Sequence, residues 1–96
     1  MKLVCTGTSV ALGDADSFDG FSVHAPAGLA LDGLGAARAG EREEIDVPTA
    51  RVRELAQAHG LPHEWFVAFD AMLAAVAPYG WYDEVADTVR AHVVRG

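Results

Sequence analysis

The sequence is short of cysteine, of basic side chains and of long apolar runs, and each shortage excludes something. Cys5 stands alone, so the chain cannot form an internal disulfide or supply a thiolate zinc site by itself. A single thiol suits a reducing compartment. Seven Lys and Arg face 14 Asp and Glu, for a net charge of −7. Residues 1–48 carry eight acids and three bases, and residues 49–96 carry six and four. A protein that neutralises phosphates needs a basic stripe, and these bases do not cluster, so no nucleic acid is expected as a partner. No stretch approaches the ~18 apolar residues of a membrane-spanning helix. The start, MKLVCTGTSVAL, has one Lys and too short an apolar core for a secretory leader. The expectation is a cytoplasmic protein with no membrane partner.

What is present is a high apolar share, 51% of 96 residues. The length fits one domain, with a strand- and loop-rich half over 1–48 and a helical half over 49–96. A domain of this size buries only about 60–65% of the surface its unfolded chain exposes. Its apolar residues therefore fill the core almost completely or form an interface with another chain.

LVCTGTSVAL has the Val, Thr and Leu content of a strand. GDADSFDG is a cluster of turn formers. FSVHA alternates Phe21 and Val23 against Ser22 and His24. Together they predict a hairpin with a long loop over roughly residues 2–25. PAGLALDGLGAARAGE fits either a short strand or one helical turn, because its glycines weaken a helix. EREEIDV alternates Ile45 and Val47 around Asp46 and predicts a third strand ending at Pro48. Three helices are then expected, at 49–59, 62–77 and 81–94. The first is capped by Asp46 or Thr49 and stopped by Gly60. The last carries an apolar face of Tyr82, Val85, Ala86, Val89 and Val93, with acids at its start and Arg and His at its end. The predicted fold is α+β: a small antiparallel hairpin or three-stranded sheet packed on a three-helix C-terminal half.

The middle helix is apolar nearly all round. Trp65, Phe66, Phe69, Met72, Leu73 and Val76 make one stripe, and Val67, Ala68, Ala71, Ala74 and Ala75 occupy the other side. Such a helix is buried, in its own core or against a second subunit. The leading expectation is a non-catalytic interaction or oligomerisation module. It docks to itself as a homodimer, or to another protein or peptide, with Trp65, Phe69, Trp81 and Tyr82 as anchors.

Residues 52–69 have the spacing of a helix-turn-helix, with Ala56 where the helices approach and Gly60 in the turn. The second helix offers Pro62, His63, Glu64, Trp65 and Val67 to a partner, none suited to base edges. The pattern describes packing. The helix pair with its hairpin also resembles winged-helix modules that bind peptides. That resemblance spans about half the chain without a diagnostic motif, and implies a peptide added to a strand edge.

The motifs for metals fail on spacing. GDADSFDG breaks calcium-loop register, since counting from Asp14 puts Phe18 and Ala25 where ligands belong. HEWFV lacks the second His of a zinc-protease helix. His59 and His63 are separated by Gly60 and Pro62. No metal or cofactor is expected. A catalytic alternative remains: a small enzyme or small-molecule-binding protein with a cavity between sheet and helices. It would use Asp70 and His63, two turns apart on one side of the middle helix, and His24. Cys5 with His24 as base is a weaker version.

Overall fold

A computed structural model describes all 96 residues. In chain order the elements are β1 (Lys2–Cys5), β2 (Val10–Gly13), β3 (Ser22–Ala25), β4 (Ala36–Ala37), β5 (Glu44–Pro48), α1 (Thr49–Ala58), α2 (His63–Val76), β6 (Tyr82–Asp83) and β7 (Thr88–Arg95). All strands join one mixed sheet, ordered β2-β1-β3-β7-β5-β4, with β6 also on β7. The α+β class holds, but neither the small antiparallel hairpin or three-stranded sheet nor the three-helix C-terminal half does: seven strands form one mixed sheet beside two α-helices.

The segment assigned to a third helix, 81–94, is a β-hairpin. Val89, Ala91 and Val93 point into the core and alternate with Arg90, His92 and Val94, the two-residue period of a strand. The side-chain oxygen of Asp83 accepts the N–H groups of Val85 and Ala86, an Asx turn that competes with helix. Asp87 closes the turn at φ 55°. Val85, placed on the apolar face by the helical reading, is 100% exposed at the tip.

The hairpin expected over 2–25 is also rearranged. TGTS makes the tight turn, with Thr6 Oγ1 accepting the N–H of Ser9 at 3.0 Å. β1 therefore pairs antiparallel with β2, Cys5 opposite Val10. β3 lies on the other side of β1 and runs parallel to it. Residues 14–21, GDADSFDG apart from its first Gly and with Phe21 added, are a crossover that carries the chain from β2 past β1. The Trp65 indole N–H pins this loop by donating to Ala15 C=O at 2.7 Å, and Phe18 packs on the Trp65 ring.

α1 and α2 fall close to their predicted spans. Neither has a side-chain cap; Thr49, expected as a cap, is the first residue of α1. Both helices lie on one face of the sheet. There Val52, Ala56, Trp65, Phe69 and Leu73 share a core with Leu3, Val23, Val47, Ala91 and Val93. Trp65 stacks on Phe69 at 5.1 Å. GLALDGLG forms turns with Leu31 and Leu34 buried. Arg95 holds them to the end of β7 by donating to Pro26 C=O, to Leu29 C=O and twice to Glu43.

Candidate binding surfaces

The residues proposed for catalysis do not converge. His24 is on the sheet face away from the helices and contacts Ser22 Oγ at 3.2 Å. Cys5 points the opposite way into the core, where burial pushes its thiol pKa up. Strand alternation separates them: in the β1–β3 register Val4, not Cys5, is opposite His24. His63 and Asp70 lie on the outward side of α2, away from the sheet, and both are exposed. Asp70 accepts from Arg53 at 2.6 Å, and the same guanidinium lies over the Phe69 ring. This ion pair straps α1 to α2. Trp65 and Phe69, expected as interface anchors, are core residues at 5% and 0% exposure. Trp81 is 40% exposed, and Tyr82 is half-buried.

Tyr82 belongs to a polar network that strand pairing assembles and that sequence spacing does not reveal. Its hydroxyl donates to Asp87 Oδ1 at 2.8 Å, and the hydroxyl of fully buried Thr49 donates to the same oxygen at 2.7 Å. Thr49 N–H also donates to Asp87 C=O. One carboxylate thus ties the start of α1 to the β6–β7 turn. The Thr49 and Tyr82 hydrogen bonds hold the Asp87 pKa below its ordinary value. The same bond from Tyr82 raises the phenol above its own. Asp87 therefore adds stability that is present above the unfolded carboxylate range and lost as pH falls through its lowered pKa. Tyr82 adds stability present below pH 10 and lost as pH rises through its raised one. We expect urea midpoints to form a plateau with a shoulder on each side. Asp87→Asn keeps the turn but weakens both bonds; it should lower stability by about 1 kcal/mol and flatten both shoulders. An unchanged alkaline shoulder in that variant would refute the assignment to Tyr82.

Two surfaces stand out. The first is the outward face of α2. Its centre is Val67, Ala71, Ala74 and Pro78, with His63, Glu64 and Asp70 at the margins, all exposed. Val67 is 55% exposed, and Tyr79, at the helix end, 77%. The outward face of α1 instead carries Arg51, Glu54 and Gln57. The second is a notch where β3 and β6 pair with the same edge of β7 but do not meet.

The chain matches no protein-family model, no curated protein and no solved structure.

No helix is long and apolar enough to cross a membrane. No group of three or more His, Cys, Asp or Glu is placed to hold a metal ion. The indole ring of Trp81 borders the notch, and the guanidinium of Arg90 lies 5.3 Å from its centroid. Arg90 was invisible as a site residue in the sequence. Helical spacing makes it a charge at a helix end, whereas the strand places it beside Trp81.

Proposed function

We propose that the protein is a non-catalytic interaction module that forms a homodimer through the outward face of α2 and the aromatic turn behind it. The observation that carries this reading is the apolar centre of that face. A solvated helix places charges there, as α1 does, whereas α2 places Val67, Ala71 and Ala74. Trp65 and Phe69 serve the core, so the anchors of the interface are Val67, Pro78 and Tyr79, with the exposed edge of Trp81.

A second copy is the occupant that fits best. Two α2 helices crossing antiparallel about Ala71 bring Val67 of one against Ala74 and Ala75 of the other. Small side chains allow close helix approach, and a two-fold axis makes the patch self-complementary. Antiparallel helix dipoles add a small favourable term. The patch centre carries no charge; Glu64 and Asp70 stand at its margins, and the rest of the net −7 acts at longer, salt-screened range. A cytoplasmic setting accords with the single buried thiol.

Sedimentation velocity between about 1 and 500 µM tests the reading. A reversible dimer with a micromolar dissociation constant is expected. Ala71→Glu, at an exposed helical position that tolerates Glu, should weaken it by at least about tenfold. A wild-type chain that stays monomeric over the whole range would overturn the proposal.

A further inference from the structure

We propose that the notch between β3 and β6 binds a small amphiphilic monocarboxylate, its carboxylate on Arg90 and its apolar body among Phe18, Phe21, Met72 and Val76. β7 uses one edge for β5. Along its other edge β6 covers Thr88 and Val89 and β3 begins at His92. Between them is a cavity of about 360 Å³, closed by the crossover loop on one side and the end of α2 on the other. That volume holds roughly a dozen heavy atoms at the density of a liquid.

The head-group assignment rests on Arg90. Its cross-strand neighbour is Asp46, the obvious partner for an ion pair. Both Asp46 oxygens instead accept from Arg38. The other half-buried arginines, Arg53 and Arg95, each hold a carboxylate. Arg90 holds none: its guanidinium lies on Trp81, and its Nε is buried with no hydrogen-bond partner. Buried donors without partners are rare in folded proteins. A guanidinium over an aromatic ring that borders an apolar cavity is suited to a carboxylate on an apolar body. Asp19 also lines the cavity and repels a second negative charge, which favours monocarboxylates over dicarboxylates and phosphates. This site shares only Trp81 with the proposed interface, and the dimer is not required for it.

The test compares 4-phenylbutyrate with 4-phenyl-1-butanol, matched in apolar body and differing in charge. Binding is followed by tryptophan fluorescence and by NMR shifts. Wild-type protein should bind the carboxylate saturably and at least about tenfold more tightly than the alcohol. Arg90→Gln should lose that preference while still binding the alcohol, which shows that the variant's cavity is intact. Equal affinity of the wild type for both compounds would overturn the proposal. So would the absence of saturation by the carboxylate below about 5 mM, or an undiminished preference in Arg90→Gln.

Discussion

Trp65→Ala is expected to lower the unfolding free energy by about 3–5 kcal/mol, a large part of the 5–15 kcal/mol typical of a whole domain. The size of the effect follows from how many separate jobs the indole has. It fills core volume at 5% exposure and stacks on Phe69. It meets Phe66 edge to face at 5.1 Å, and it holds the crossover loop through Phe18 and Ala15 C=O. Trp65→Phe separates these contributions. It keeps an aromatic ring but loses the N–H, so the loss should be only about 1–2 kcal/mol. Hydrogen exchange in residues 14–21 should rise more than in β5. A Trp65→Ala chain that unfolds within 1 kcal/mol of wild type by urea titration would contradict the packing.

Gly35→Ala is the second large effect, about 3 kcal/mol. A Cβ at 35 would run into the Asp46 carbonyl oxygen and come within 3.2 Å of Val47 Cα. Both obstacles are backbone of β5, which is fixed by its pairing with β7. The strain must therefore fall on β4, whose two residues pair with Ile45 and Asp46. Losing β4 also removes the bond from Arg38 N–H to Glu44 C=O and loosens the Arg38–Asp46 pair. Gly33→Ala is the control. Nothing lies within 4 Å of its Cβ position, and its effect should be near zero. Equal effects of the two substitutions on the urea midpoint would refute the close approach at Gly35.

Elements set by local chemistry were legible from the sequence. The apolar spacing of Val52 and Ala56, the break at Gly60 and the run from Trp65 to Val76 give α1 and α2 within a residue or two of their observed ends. Ile45 and Val47 before Pro48 give β5. The failures came where two periods fit the same residues. Val85, Ala86, Val89 and Val93 suit a helix, while Val89, Ala91 and Val93 suit a strand equally well. The β-branched residues Thr88, Val89, Val93 and Val94 and the turn-forming Asp83 decide for the strand. Long-range pairing was not legible at all, because nothing local to FSVHA indicates that it runs parallel to β1. The candidate sites divide in the same way. The outward alanines of α2 could be counted from the sequence. The unpaired Arg90 could not, since its isolation depends on Asp46 being taken by Arg38 across another strand.

The position of β7 in the sheet has a kinetic consequence. Without residues 88–95 the sheet falls into two pieces, β2-β1-β3 and β5-β4, with no strand between them. On its other side from β1, Ser22 finds its neighbour only at His92, a pairing whose loop-closure entropy must be met before any of its contacts form. At about 5–20 residues per second of synthesis, the β3 edge is made several seconds before its partner. During that interval the growing chain presents an unsatisfied parallel edge, a template for mispairing that disappears once β7 is in place.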